Sequence, residues 1–237
     1  ASVTPDATLT SEGAMQSVSG TCRDLAGNEA MTAVNGINID KTAPVAVATR
    51  TPAPNASVWN NTAVAGRFEA SDALSGISGQ ALVDVTFASE GPGQYHSQLF
   101  IDRAGNATTA TLSDINIDLT APVMSCTASP AVLWPPNQRL VPVQVAVIAE
   151  DALSGPDAFV LMSAISSEPD GGVADHDLPG DILGFDVGTP DTSGHLRAER
   201  SGSGSGRTYT ITYEGADKAG NSATCSATVR VPHDQRP

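Results

Sequence analysis

Aspartate is the residue whose placement in this chain could do chemistry, because it returns inside short motifs copied along the sequence. Asp24, Asp102 and Asp217 each stand two residues before Ala-Gly-Asn, in CRDLAGN, FIDRAGN and GADKAGN. Asp72 and Asp151 open the shared DALSG of SDALSG (Ser71 to Gly76) and EDALSG (Glu150 to Gly155). Asp40 and Asp118 sit in INIDKTAPV (Ile37 to Val45) and INIDLTAPV (Ile115 to Val123), nine residues repeated with one change. A carboxylate in such a place has two uses. With other oxygens it binds a hard cation, and calcium takes six to eight of them at about 2.3–2.6 Å. Alternatively it caps a turn, accepting backbone N–H groups while the Gly and Asn of Ala-Gly-Asn take positive φ. Both uses fit the motifs.

A weaker acidic candidate is EPDGGVADHDLPGDILGFD (Glu168 to Asp186), where Asp175, Asp177 and Asp181 lie close together with Asp170 and His176. The spacing fails as a calcium-binding EF-hand loop because Pro179 takes the third ligand place. A solvated, ordered surface loop is the expectation there. Nothing else points to catalysis: there is no GxSxG elbow, no HExxH and no phosphate-binding glycine loop. Asp175-His176-Asp177 lacks a nucleophile, so no catalytic residue is assigned and the chain is read as no enzyme. Trp59 in NASVWNN and Trp134 in LWPPNQR remain as ligand candidates. An exposed tryptophan stacks on sugar rings; a covered one packs over a sheet edge.

The elements that position these residues follow from composition. Hydrophobic residues make up 40% of the 237, but they lean on Ala and Val, and 22 Gly with 16 Pro impose many turns. No window shows sustained apolar spacing of three and four, so almost no helix is expected. Segments such as ALVDVTFA (Ala81 to Ala88) and VPVQVAVIA (Val141 to Ala149) alternate at period two, as half-buried antiparallel strands do. Further strands are expected at Ala63 to Ala70, Tyr95 to Asp102, Phe159 to Ile165, Thr208 to Tyr213 and Ala223 to Val231. A net charge of −14 excludes a phosphate-binding surface, hence nucleic acid, and disfavours an anionic membrane. No apolar run approaches the length of about 20 residues that a spanning helix needs, so no membrane insertion is expected. Ala1 begins directly in polar sequence without a leader, as expected of a piece of a longer chain.

The copied motifs recur at a fixed offset. The step along the chain from Asp24 to Asp102 equals the step from Asp40 to Asp118. The division is therefore residues 1–42, the trailing part of a domain; 43–120, a complete one; and 121–237, a larger one with an acidic insertion at 166–206. A period near 80 is too long for a helical solenoid unit and suits a small β-sandwich. Pro44 and Pro122 start the next strand from its edge, where a missing N–H costs nothing.

D-x-AGN followed by a strand and then I-D-x-T-A-P resembles the tandem immunoglobulin-like repeats of bacterial secreted and surface proteins. The last domain, with Cys126 near its first strand and YEGADKAGNSATCSATVRV (Tyr213 to Val231) at its end, is similar to HYR-type modules. The resemblance implies an all-β fold of tandem immunoglobulin-like β-sandwich domains, secreted or at the cell surface. In that topology the loop after the second strand and the last hairpin turn share the pole where the chain enters. Asp40, Asp72 and Asp102 would then converge at one joint, and Asp118, Asp151 and Asp217 at the next, as calcium sites or as turn caps, with Asn38 and Asn116 as further ligands. A Cys126–Cys225 disulfide follows from the same resemblance, closing 99 residues for roughly 4.7 kcal/mol; the alternative is three buried free thiols. Cys22 is left for a partner in strands its partial domain lacks. SGSGSG (Ser201 to Gly206) reads as a hairpin tip, preceded by a strand carrying Arg197, Glu199 and Arg200. The implied role is a non-enzymatic spacer or adhesive segment whose partners are a surface glycan, a protein or copies of itself. The alternative is an accessory carbohydrate-binding module of a secreted polysaccharide-degrading enzyme, acting through Trp134 and Trp59.

Overall fold

A computed structural model describes residues 1–171, 178–202 and 204–234. All regular elements among them are β-strands, joined by turns that the glycines and prolines dictate. The chain forms two compact units: residues 1–53, 64–87 and 93–115 in the first, and 54–63, 88–92 and 116–237 in the second.

In the first unit, β1 (Ser2–Val3), β2 (Gly13–Arg23) and β3 (Glu29–Ile39) form an antiparallel sheet in that order. A second sheet runs β4 (Val45–Thr51), β5 (Val64–Ser71), β6 (Leu82–Phe87). The strands β4 and β9 both begin directly after the linker proline, at Val45 and at Val123. The hairpin of β7 (Gly91–Ile101) and β8 (Ala107–Ile117) gives this unit residues 93–101 and 107–115. Strict alternation along β5 turns Val64, Gly66 and Phe68 inward, and they pack with Phe87, Phe100, Ala110 and Leu112 into a core. Gly66 permits this approach, since a Cβ there would lie 2.7 Å from Leu112 Cδ1. Phe68 meets the His96 ring edge-on at 5.3 Å. By contrast, no residue from 1 to 43 is buried.

In the second unit, β9 (Val123–Ser129), β10 (Leu140–Glu150), β12 (Ile182–Gly184) and β13 (Ser193–Arg197) form a sheet ordered β12-β13-β10-β9. Facing it is a sheet ordered β11 (Pro156–Ser166), β14 (Gly206–Asp217), β15 (Ser222–Pro232). Their inner residues, among them Val143, Val145 and Leu196 on one sheet and Leu161, Ile211 and Val229 on the other, share one core. Seven strands arranged four on three in this order constitute the constant-type immunoglobulin sandwich. Tyr209, near the start of the sixth of these strands, donates its hydroxyl to Arg197 O at 2.8 Å, as the tyrosine corner of such sandwiches does. Cys126 on β9 and Cys225 on β15 are disulfide-bonded, with Cα atoms 5.6 Å apart. The fold is all-β and immunoglobulin-like.

The Gly/Ser stretch 201–206 does not close a hairpin. β13 pairs with β10 and β12, whereas β14 pairs with β11 and β15, so the strands on either side of it belong to different sheets. Runs of Gly and Ser suit either connection, because neither residue favours a particular φ/ψ strongly enough to select one.

Candidate functional site

Three elements of the second unit each deliver one aspartate to the same place. Asp118 follows β8, Asp151 follows β10, and Asp217 ends β14 at the turn into β15. One oxygen from each lies within 4.8 Å of the others. Asp118 is fully inaccessible and Asp217 is 2% exposed, so two of the three carboxylates are buried.

The local sequence explains this placement. In DALSG the Asp151 Oδ1 accepts the N–H groups of Leu153 (3.1 Å) and Gly155 (2.6 Å), and Gly155 takes the left-handed φ of +82° that closes the turn. In DKAGN the Asp217 Oδ1 accepts the N–H groups of Gly220 (2.7 Å) and Asn221 (2.9 Å), with Gly220 at φ +98°. The turns are joined by Lys218, whose N–H donates to Gly155 O at 2.9 Å. Asp118 then binds across to the DALSG loop, accepting Ser154 N–H on Oδ2 at 3.0 Å and its neighbour Thr120 N–H on Oδ1 at 3.1 Å.

The asparagine of Ala-Gly-Asn completes the arrangement. Asn221 Nδ2 donates to Asp217 Oδ2 (2.8 Å) and also to the backbone oxygens of Asp118 (3.0 Å) and Thr120 (3.3 Å). One amide group thus fastens the linker to the hairpin turn.

The first unit repeats most of this network. Asp72 Oδ1 accepts from Leu74 and Gly76, and Asp40 Oδ2 accepts from Ser75. Asp102 accepts from the Asn106 N–H (2.8 Å) and side chain (2.7 Å), while Asn106 Nδ2 reaches Asp40 O and Thr42 O at 3.3 Å. Asp40, Asp72 and Asp102 likewise bring one oxygen each within 4.8 Å. The Asp40 carboxyl is held below the usual carboxylate range, first by the Ser75 hydroxyl, then by the N–H groups of Thr42 and Ser75, against the opposing effect of burial. The Oδ2 atoms of Asp72 and Asp151 accept no hydrogen bond among the described residues, so a cation would find unsatisfied oxygens there. Asp24 caps its own DLAGN turn in the same manner, through both the N–H and the amide of Asn28.

Sequence reasoning missed the glutamates that hold the linkers. Glu12 accepts from the Lys41 N–H and the Thr42 hydroxyl, and Glu90 accepts from the Leu119 N–H (2.6 Å) and the Thr120 hydroxyl (2.8 Å). Each stands in a Ser-Glu-Gly, and the two obey the same offset as the aspartates, so the repeat was the signal that could have found them. The position that varies, Lys41 against Leu119, is thus anchored by its backbone N–H in both copies, and Lys41 Nζ also donates to Thr10 O. Asn38 and Asn116, expected as further ligands, are turned to other work: Asn38 Oδ1 accepts Met15 N–H, and Asn116 Nδ2 donates to Val58 O.

No protein-family model and no curated protein matches the chain. Solved structures similar to it include a 1.5-MDa bacterial ice-binding adhesin, at 15% identity and a TM-score of 0.41, covering 90% of this chain and 72% of that one. A Ca2+-stabilised adhesin with which an Antarctic bacterium binds ice gives 15% identity and a TM-score of 0.39, covering 90% of this chain and 56% of that one. Extracellular cadherin domains 3–6 of protocadherin gamma B2 give 14% and 0.39, covering 91% and 56%. The chain therefore spans little more than half the length of the last two. At TM-scores near 0.4 these likenesses assign no activity to this chain.

The weaker acidic candidate is placed differently. Asp175 and Asp177, with His176, lie outside the described residues. Asp181 is not part of a solvated loop: it is 1% exposed and sits between two guanidinium groups, paired with Arg207 Nη1 and 3.4 Å from Arg197 Nε. Arg207 is equally buried and also pairs with Glu168 at 3.2 Å. β13 and β14 carry Arg197 and Arg207 inward, where Asp181 and Glu168 match them. Trp59 is half-buried and Trp134 is 41% exposed. Cys22 is a free, exposed thiol.

Proposed function

We propose that the chain is a non-enzymatic extracellular segment of a secreted or cell-surface bacterial protein, acting as a spacer with an adhesive role, in which each aspartate triad holds a calcium ion. The observation that carries this reading is the duplication of the triad: two sets of three carboxylates, in two units, with the same donors on the same atoms. Three carboxylates within 4.8 Å repel one another, and backbone N–H groups alone leave that charge uncompensated. Calcium would supply the balancing charge, with Asp40, Asp72 and Asp102 or Asp118, Asp151 and Asp217 as its carboxylate ligands. It would hold each linker against the loops that follow it. The domain division at 42 and 120 belongs to the same proposal, each linker being the segment that a triad grips.

The Cys126–Cys225 disulfide supports an oxidising, hence extracytoplasmic, setting. Surface ligands or further copies of the chain are the partners this role calls for. The carbohydrate-binding alternative is not adopted, since no observation on Trp59 or Trp134 favours it.

The test is a calorimetric titration of the chelator-treated chain with calcium chloride. Two sites are expected, with dissociation constants of about 10⁻⁴–10⁻³ M, the range of extracellular calcium modules. Asp118→Asn should remove one site and Asp40→Asn the other. Absence of binding heat up to 10 mM calcium would leave the aspartates as turn caps alone.

A further inference from the structure

The sheet β1-β2-β3 is half of a sandwich. Its order is that of β11-β14-β15, the sheet which in the second unit packs its inner face against four facing strands. The repeat offset that carries Asp24 to Asp102 gives a second comparison within the first unit. It equates Val18 with His96, Cys22 with Phe100, and Val34 with Leu112. Each of the latter is covered: His96 by Phe68 of β5, Leu112 by the chain at Gly66, and Phe100 to 2% exposure. Val34 by contrast is 63% exposed and Cys22 is open. Register confirms that these positions share a face, because Val18 pairs with Val34, Gly20 with Thr32 and Cys22 with Ala30. The face is shaped as well as apolar, forming a groove lined by Val18, Gly20, Cys22, Thr32 and Val34 with Pro5 at its edge.

We infer that this face is the docking surface for a second antiparallel β-sheet of the β4-β5-β6 kind. The occupant is the leading half of one such repeat, presenting small and aliphatic side chains about 10 Å away across a sheet-on-sheet interface. The argument for a sheet, rather than a helix or a small ligand, is that both fully packed copies of this strand arrangement in the molecule are covered by one. The turn after β2 and the glutamate that grips the following linker are built as in the covered copy, so the hairpin itself is finished and only its facing layer is lacking.

Cys22 is the natural reporter, being the one cysteine outside the disulfide and lying on the face in question. The experiment mixes the full chain with a synthetic peptide of residues 43–87, which carries β4, β5 and β6 and no cysteine, and follows the reaction of Cys22 with a chromogenic disulfide reagent. The expected result is a saturable slowing of at least tenfold. Val34→Asp and Val18→Asp, which charge the docking face, should abolish the protection. Ala33→Asp, on the opposite face and outside the groove, should retain it. Reaction at an unchanged rate in saturating peptide would overturn the inference. So would light scattering showing that the chain alone dimerises with Cys22 already protected, since a second copy would then own the face.

Discussion

Replacing Asp118 by Asn separates a cation site from a turn cap, because the two readings give different signs under different conditions. Asp118 is fully buried, and its carboxylate oxygen lies within 4.8 Å of those of Asp151 and Asp217. At that distance each pair of charges repels by about 3.5 kcal/mol at an effective dielectric of 20. The variant removes two of the three repulsions. It also weakens the bonds accepted from Ser154 and Thr120, each falling from roughly 1.5–3 kcal/mol for a charged acceptor to about 0.5–1.5 kcal/mol for a neutral one. In chelator the relieved repulsion outweighs the weakened bonds, so the variant should be more stable than the parent chain. With 2 mM calcium and a dissociation constant of about 10⁻⁴–10⁻³ M, the parent site gains about 0.6–1.8 kcal/mol by mass action and the variant site gains nothing. For a sandwich of this size that corresponds to about 2–7 °C in Tm. Thermal unfolding of both proteins, with chelator and with calcium, gives the coupling directly. Equal calcium shifts in the two proteins, or no shift in either, would show that the triad does not bind the ion.

Three further outcomes are expected. Asn106→Ala should destabilise the first unit by about 2–3 kcal/mol in chelator, because one amide ties Asp102 to two linker carbonyls; urea unfolding measures it, and a loss below 0.5 kcal/mol would refute the tie. Asp181→Asn should cost about 3–5 kcal/mol by leaving Arg197 buried without its counter-charge and Arg207 with Glu168 alone, a loss that urea unfolding at neutral pH would register. Tyr213 is fully buried with no hydroxyl partner among the described residues, and burial, with the Asp191 charge second, pushes its hydroxyl up to about 12. Because the folded value is raised above 10.0, the stability it confers is complete below pH 10 and is lost as pH rises through 12. Tyr213→Phe should erase that alkaline step and stabilise the chain by about 1 kcal/mol at pH 7, as removal of an unpaired buried hydroxyl predicts.

What could be read beforehand depended on whether a feature is local. Strands announce themselves by period-two alternation, and VPVQVAVIA lies within β10 as expected. The triads were legible because each aspartate sits in a motif copied elsewhere, and repetition reveals constraint that a single carboxylate does not. Glu12 and Glu90 obey the same offset, but Ser-Glu-Gly suggests no chemistry until the linker N–H groups are seen above it. The ion network of Asp181, Arg197 and Arg207 was illegible for a different reason. Its members are separated along the chain and come from both sheets, so each reads alone as an ordinary surface charge. In Ala-Gly-Asn the glycine alone takes the left-handed turn; the asparagine, expected at positive φ as well, does not, and spends its side chain on the linker.

The bond between β9 and β15 also decides how the second unit bears tension. A chain pulled from both sides of this sandwich is loaded at its first and last strands, the two that Cys126 and Cys225 join covalently. Force then passes through sulfur instead of through hydrogen bonds, and the 99 residues of the intervening loop stay slack. At about 3.3–3.6 Å per residue, roughly 330–360 Å of contour length is withheld from extension. Single-molecule stretching should show an unfolding step of that size only after reduction. Residues 43–120 contain no cysteine, so no disulfide withholds that stretch from extension.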